Sequence, residues 1–323
     1  MAALLTLLPL AAHAQDQQLG GQRRGTTSLE FLKIGMGARA EAMGEAFVSV
    51  ANDPSAMYWN PAGVGTMQRR EMQVSTTAYP ADIRYNYMAV VLPSEKLNGA
   101  IGIQLGGLAT DMAETDEFHP YGTGRTFTYT DFVVGVTYAR RFTDKLLIGF
   151  GTKYAREDYG SQIDGPSTSA LLFDIGSIYY LGFRSLRVGM SLTNFGGDLG
   201  PGGQFVSQNG TGTRTYDQFS APTNFRYGLG FEPIETENLR VTTALEALQP
   251  SDNSIQYRAG TEILIQNHFA LRTGYQIRSD AFKFSAGAGF RGDVGTLHGT
   301  VDYAYTDAGP LGHVDRLSLQ VAF

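Results

Sequence analysis

The sequence has no cysteine and no long apolar run beyond its first residues, and both absences narrow the class of protein. Without cysteine, the 323 residues cannot form a disulfide-held fold or a cysteine-ligated zinc site. After residue 14, no stretch approaches the roughly 20 apolar residues that a transmembrane helix needs. The net charge is only −6 and no basic cluster occurs, so no nucleic-acid partner is expected. An exported protein held together by strand pairing fits these absences.

The N-terminus has the pattern of a secretory signal peptide. Residues 2–12 form a short apolar run, and Ala12-His13-Ala14 follows as a small-x-small cleavage site. The usual positive charge before the run is missing, since the first basic residue is Arg23. Residues 1–14 are therefore predicted to be a signal peptide, either an atypical one or one with an upstream start. The mature chain would begin at Gln15.

Glycine and aromatic residues are plentiful, with 40 Gly, 17 Tyr and 19 Phe. The last seven residues alternate strictly, with small or polar residues at 318, 320 and 322. The large apolar positions between them are Leu317, Leu319, Val321 and Phe323. A strand that ends on a C-terminal Phe is typical of the closing strand of a bacterial outer-membrane barrel. The alternative is an ordinary edge strand at the end of a soluble β-protein.

Alternation with a period of two recurs in fourteen segments, most of them near the roughly 9–11 residues of a tilted membrane strand. The segments are 70–79, 84–92, 98–109, 126–140, 145–157, 168–180, 184–195, 222–232, 238–248, 254–265, 267–278, 281–291, 295–306 and 312–323. Every second connection between these segments is short. The three longest connections are 110–125, 158–167 and 196–221, and all three belong to the other, alternate set, so they are expected at the same end of the barrel. The sequence predicts an all-β, transmembrane antiparallel β-barrel of about 14 strands over residues 70–323.

The region before the first strand lacks this alternation. Residues 15–69 are predicted to form an N-terminal segment whose central part, residues 26–66, we call the hatch segment. Asp53-Pro54 fits a helix start, with Asp53 as the N-cap. Irregular backbone cannot face lipid, because its polar groups would stay unsatisfied. The hatch segment is therefore expected inside or just below the barrel, with Arg39 and Asn60 hydrogen-bonded there.

The hatch segment resembles the N-terminal signature of the PorV/PorQ family of outer-membrane proteins. The matching hatch motif includes Gly37, Arg39, Gly44, Asp53, Trp59, Asn60, Pro61, Ala62 and Gly63. That family is related to the FadL-like barrels, which have fourteen strands and an N-terminal hatch. The resemblance implies a protein of the cell outer membrane that contacts outer-membrane lipid. It also implies a role in type IX secretion with protein partners or cargo, on either the PorV-like or the PorQ-like branch.

Motifs for catalysis or cofactor binding are weak. Gly35-x-Gly37-x-x-Ala40 loosely matches a dinucleotide fingerprint, but no strand precedes it. The histidines are scattered, no G-x-S-x-G occurs, and the acidic residues 111–117 lack the spacing of a calcium loop. No enzyme activity, cofactor or metal is expected.

Two functions from different classes remain open. One is a non-enzymatic component of type IX secretion, and the other is a FadL-like channel for hydrophobic small molecules. A channel needs a continuous apolar pocket beside the hatch. The residues predicted to face inward are instead charged, and both signs occur among them: Arg240, Glu246, Arg258, Glu262, Arg272 and Lys283. This favours a plugged scaffold.

Overall fold

The computed structural model describes residues 24–80, 83–115, 117–161, 165–206, 212–279 and 282–323. The predicted signal peptide, residues 1–14, lies outside the described residues, as does Asp116 of the acidic loop.

Fourteen antiparallel strands form a closed barrel, in which the first strand pairs with both the second and the last. The barrel strands are β1 Glu71–Ala78, β2 Arg84–Ser94, β3 Gly99–Ala113, β4 Thr126–Arg141, β5 Leu146–Asp158, β6 Ser167–Tyr180, β7 Arg187–Phe195, β10 Asn224–Glu235, β11 Leu239–Pro250, β12 Gln256–Ile265, β13 Phe269–Ile277, β14 Phe284–Val294, β15 Leu297–Asp307 and β16 His313–Ala322. The predicted barrel of about fourteen strands is confirmed.

Two details of the strand prediction are wrong. The loop after β7 contains a small hairpin of its own, β8 Gln204–Val206 with β9 Thr213–Thr215. Strand β10 does not stop before Pro233 but continues to Glu235, with a register shift between Phe231 and Ile234. Proline has no N–H to donate, so it fits in a strand where a bulge interrupts the ladder.

The two faces of the wall differ in polarity. Leu105, Leu171 and Leu245 point outward and are each at least half exposed, while charged residues such as Lys153 and Glu246 point inward and are buried. Lys283 is an exception to the predicted inward set. It is exposed and precedes the first residue of β14, so it belongs to the rim rather than the packed interior.

The hatch segment contains only short helices, α1 Ala38–Ala42 and α2 Ala56–Trp59, with 3-10 turns at Glu30–Lys33 and Pro61–Thr66. Helix α2 begins at Ala56, later than the predicted start at Asp53-Pro54, although the Asp53 carboxylate still accepts a hydrogen bond from the Ser55 N–H. Within the described residues, no helix is long and apolar enough to cross a membrane.

The hatch segment lies inside the barrel. Nearly all of its residues from Thr27 to Val64 are buried. It also contacts inward-facing groups all round the wall, on β5, β6, β7, β11, β12 and β16. One end of the barrel carries the three long connections and the other only short turns, and we call these the loop end and the turn end.

Candidate functional site

A chain of alternating charges holds the first helix of the hatch segment against the wall. Arg39 donates two hydrogen bonds to the Glu262 carboxylate, at 2.8 and 3.0 Å, and also pairs with Asp53 at 3.2 Å. Glu262 accepts a further bond from Arg272 at 2.6 Å, and Arg272 reaches Asp302 at 2.7 Å. Because bidentate Arg–carboxylate pairs are directional as well as strong, this row sets the position of α1 relative to β12–β15.

A second set of ion pairs lies toward the loop end. Glu41 pairs with Arg316 at 3.2 Å, and Glu45 pairs with Arg258 at 2.6 Å. Glu246 lies 3.9 Å from Arg258 and accepts hydrogen bonds from the Phe47 and Val48 N–H groups at 2.9 Å each. Backbone donors of the hatch segment are thus satisfied by a carboxylate of the wall.

Glu41, like Glu246, keeps one buried carboxylate oxygen without a hydrogen-bond partner among the described residues. Glu41 is 1% exposed, and the oxygen concerned is its Oε1. Burial raises the pKa of the Glu41 carboxyl to about 8, although Arg316 acts in the opposite direction.

Trp59 and Asn60 form the centre of the hatch motif. The indole N–H of Trp59 donates to the Met36 carbonyl at 2.8 Å, and the Arg226 guanidinium stacks over its ring at 5.3 Å. The Asn60 amide donates to the carbonyls of Val48 and Ser177, at 2.7 and 3.0 Å. Its oxygen accepts from the Ala62 N–H at 3.1 Å. One side chain therefore joins two parts of the hatch segment to strand β6.

Pro61, Ala62 and Gly63 turn the chain toward the wall. Pro61 opens a 3-10 turn, where its missing N–H costs nothing, and Asn60 caps that turn. Ala62 packs with Leu147 and Ile178. A Cβ at Gly63 would lie 2.3 Å from the Ala51 carbonyl oxygen. Any larger residue would therefore push the backbone around residue 63 away from the backbone around residue 51.

Glycines of the hatch and of the wall meet face to face. Gly44 has a φ of +63°, and a Cβ there would lie 2.7 Å from the Tyr275 nitrogen. On the wall, a Cβ at Gly274 would lie 2.0 Å from the Gly44 nitrogen, and one at Gly176 would lie 2.1 Å from Asn60 Oδ1. At these positions the backbone of the hatch segment and the backbone of the wall are in direct contact, with no room for a side chain between them. Gly37, the remaining glycine of the motif, has a φ of +85° and precedes α1.

The closing strand contributes residues to both the outer and the inner face of the barrel wall. Leu317, Leu319, Val321 and Phe323 are each 39–51% exposed on the outside. On the inside, the Ser318 hydroxyl accepts a hydrogen bond from the Ala38 N–H at 2.8 Å. The Phe323 N–H donates to the Arg70 carbonyl at 2.9 Å, so pairing continues to the last residue.

The larger cavities fall into two classes by position. Inside the barrel, a cavity of about 340 Å³ at the loop end is lined by charged residues, among them Lys33, Glu45, Arg226, Asp252 and Arg258. A second, of about 240 Å³ at the turn end, is lined by Asn52, Arg187, Glu232, Glu235 and Arg240. Apolar depressions lie on the outer wall instead, one of about 500 Å³ between Val74, Met88, Leu105 and Leu319.

A family model described as "Type IX secretion system protein PorV" matches residues 15–250, which is more than half of the chain. The chain belongs to the PorV family. The match confirms the resemblance carried by the hatch motif, and it identifies a PorV-family outer-membrane β-barrel associated with type IX secretion. No curated protein sequence matches the chain.

Several solved structures share the fold of this PorV-family barrel at low sequence identity. The toluene transporter TbuX of Ralstonia pickettii is 12% identical with a TM-score of 0.58, over 89% of this chain and 97% of that one. The toluene transporter TodX of P. putida is 12% identical with a TM-score of 0.56, over 89% and 96%. At this identity the likeness concerns the fold alone.

Sequence reasoning missed the partners of the hatch motif in the PorV-family wall. Glu262, Arg272 and Glu246 were predicted to face inward, but not to bind particular hatch residues. The wall glycines Gly176 and Gly274 were not singled out at all. A signal was present, because glycine at inward positions of otherwise regular strands marks a close backbone approach.

Proposed function

We propose that this protein is a non-enzymatic outer-membrane scaffold of type IX secretion, which binds protein partners or cargo and does not conduct hydrophobic solutes. The observation that carries the proposal is the content of the barrel. The hatch segment fills the lumen and is tied to the wall by the Arg39–Glu262 and Glu45–Arg258 pairs. Withdrawing it would leave buried charges without partners, which costs several kcal/mol for each pair.

The distribution of cavities supports a scaffold over a channel. A path for hydrophobic molecules needs apolar walls with few polar groups. The two interior cavities described above are lined by charged side chains, and they are separate spaces on either side of the hatch segment. The apolar depressions lie outside, where they would meet lipid or another protein.

The outer face of the barrel supports contact with outer-membrane lipid. Outward positions carry large apolar residues on strands all round the barrel, such as Ile103, Phe173, Leu271 and Val301. An apolar band with a polar interior is the pattern of membrane barrels. We propose that this band faces lipid and leaves the two ends of the barrel for protein partners.

The loop end is the surface we propose for protein partners. Tyr121, between β3 and β4, is fully exposed, and Leu311, between β15 and β16, is 65% exposed. Exposed aromatic and apolar residues on loops are costly in water and are enriched at protein interfaces. Both residues project from the same end of the barrel, on loops held by a rigid wall.

Affinity capture from native outer membranes tests the proposal. The intact protein should recover other components of type IX secretion, and a Tyr121→Ala, Leu311→Ala double variant should recover less. Phe142→Ala at the turn end, where Phe142 is 55% exposed, is the matched control. Equal recovery by both variants would contradict the loop-end assignment. Uptake of toluene by liposomes containing the purified barrel that clearly exceeds uptake by protein-free liposomes of the same lipid would contradict the scaffold.

A further inference from the structure

Two acidic side chains face each other inside the wall near the loop end. Asp131 of β4 and Glu157 of β5 are direct partners in the strand register, and both point inward. Asp131 is 2% exposed and Glu157 is 6% exposed. Like charges at directly opposed positions of a sheet repel each other, and burial strengthens that repulsion. Something must offset two adjacent carboxylates in this place.

The surrounding side chains offer hydroxyl groups but no positive charge to compensate the pair. In the part of the chain that the structure describes, no basic residue forms an ion pair with Asp131 or Glu157. The nearby Arg156 pairs with Asp158 instead, at 3.2 Å. The Tyr129 hydroxyl donates to Glu157 and lies beside Asp131. It has one proton, so it can serve only one of the two carboxylates at a time. The Tyr159 hydroxyl lies beside Glu157 and Thr168 and brings a second proton but no charge.

In the described part of the chain, two buried oxygen atoms in or beside this pair lack a hydrogen-bond partner. Asp131 Oδ1 has no hydrogen-bond partner among the described residues, and neither has Thr168 Oγ1. Thr168 is fully buried and is the register partner of Glu157 on β6, so Asp131, Glu157 and Thr168 lie side by side across three strands. Buried polar atoms without partners cost free energy, and a bound ion is one way in which such atoms are satisfied.

We propose that Asp131, Glu157 and Thr168 bind a calcium ion inside the barrel wall. The donors are all oxygens, which suits a hard cation, and two carboxylates balance a charge of two. Calcium accepts irregular coordination completed by water, whereas magnesium demands an octahedron. With only two carboxylates, the expected affinity is that of weak extracellular sites, with Kd about 10⁻⁴–10⁻³ M.

The ion would also connect the wall to the start of the hatch segment. Glu157 Oε2 accepts a hydrogen bond from the Leu29 N–H at 3.2 Å, and Leu29 has a left-handed φ of 58°. A cation that holds Glu157 in place therefore holds the entry of the hatch segment against β5. Sequence spacing gives no sign of such a site, because its three residues come from three strands.

Terbium luminescence tests the site directly. Terbium binds where calcium binds and is excited through nearby tyrosines, and the Tyr129 and Tyr159 rings are 5.8 Å apart at this place. The purified full-length barrel in detergent should give tyrosine-sensitised emission that calcium displaces. Asp131→Asn and Thr168→Val should each weaken terbium binding, the first by tenfold or more. Asp111→Asn, which removes an exposed carboxylate at the end of β3, should leave it unchanged.

Thermal unfolding separates the calcium site from a carboxylate pair that shares a proton. After treatment with a chelator, calcium should raise the Tm of the wild type but not of Asp131→Asn. Without calcium, Asp131→Asn should unfold at a higher temperature than the wild type, because the repulsion is gone. The proposal would be overturned if the Tm of the wild type did not change with calcium. It would also be overturned if calcium raised the Tm of the wild type and of Asp131→Asn by the same amount.

Discussion

At the scale of single residues, the hatch segment is held by polar groups that each have a specific partner on the wall. Arg39 and Asn60 show two ways of doing this, one by a bidentate ion pair with Glu262 and one by three amide hydrogen bonds. Asn60 is fully buried and the Arg39 side chain is only 11% exposed, so removing a partner leaves a largely desolvated group unsatisfied. The strength of the attachment is therefore best measured by breaking one partner at a time.

Glu262→Gln should destabilise the attachment strongly. The substitution removes the charge that both Arg39 and Arg272 contact, and breaking a buried ion pair costs about 3–5 kcal/mol. Unfolding in denaturant can be followed by the fluorescence of Trp59, the one tryptophan in the sequence. Glu237→Gln, in an exposed turn, is the control. Equal unfolding midpoints for the two variants would show that the row of charges does not hold the hatch segment.

Stability should also depend on pH through Glu41. Its folded pKa of about 8 lies above the usual 4.5, so the folded state binds the proton more tightly than the unfolded state. The free energy of unfolding should therefore fall as pH rises from about 4.5 to 8, and the loss should be complete above that range. Glu41→Gln should flatten this dependence in Tm measurements between those pH values. An unchanged slope in the variant would contradict the assignment to Glu41.

At the scale of elements, the fourteen strands could be predicted because each has one polar and one apolar face. Leu317 and Leu319 alternate with Ser318 in the sequence just as they do in the wall. The hairpin β8–β9 was missed because three-residue strands are too short to show a period. Pro233 was predicted to end a strand. It lies within β10 instead, at a register shift where the ladder is interrupted and no N–H is needed.

The partners within the barrel could not be predicted in the same way. Alternation shows that Glu246 and Gly274 face inward, but not which hatch residue each one meets. That depends on how the irregular segment 26–66 is folded, where only short helices form and no period exists. The hatch motif itself was recognisable, because its glycines and its Trp59-Asn60-Pro61 run are unusual in any wall strand.

The closing strand should be needed for assembly. Val321 pairs with Met72 of β1, and the Phe323 N–H donates to the Arg70 carbonyl, so these residues complete the seam. Deletion of residues 321–323 should reduce the amount of folded barrel in the outer membrane, as seen by heat-modifiable migration on a gel. Phe323→Ala should have a smaller effect in the same direction, because its backbone bond is kept. Unchanged folded barrel after the deletion would contradict this role.

At the scale of the whole molecule, the barrel has an apolar outer face and a lumen filled by the hatch segment and by charged side chains. This arrangement favours a protein that binds partners on its surface over a channel. The wall glycines let the hatch backbone pack against the strands, and the ion pairs keep it there. A likeness in fold to toluene transporters is compatible with this, because the same wall can enclose a different interior. The central claim is that the hatch segment stays in place while the protein works.

Locking the hatch segment to the wall tests that claim most directly. A Cβ at Gly230 would lie 3.4 Å from the Ser49 Cβ, close to disulfide geometry, and the sequence has no other cysteine to interfere. A Ser49→Cys, Gly230→Cys variant should form a disulfide between the hatch segment and β10 in the outer membrane. In cells that lack the native protein, we expect this locked variant to support surface delivery of type IX cargo as well as the wild type does. Loss of delivery that is restored by a reductant would show that the hatch segment must move, and would contradict the account.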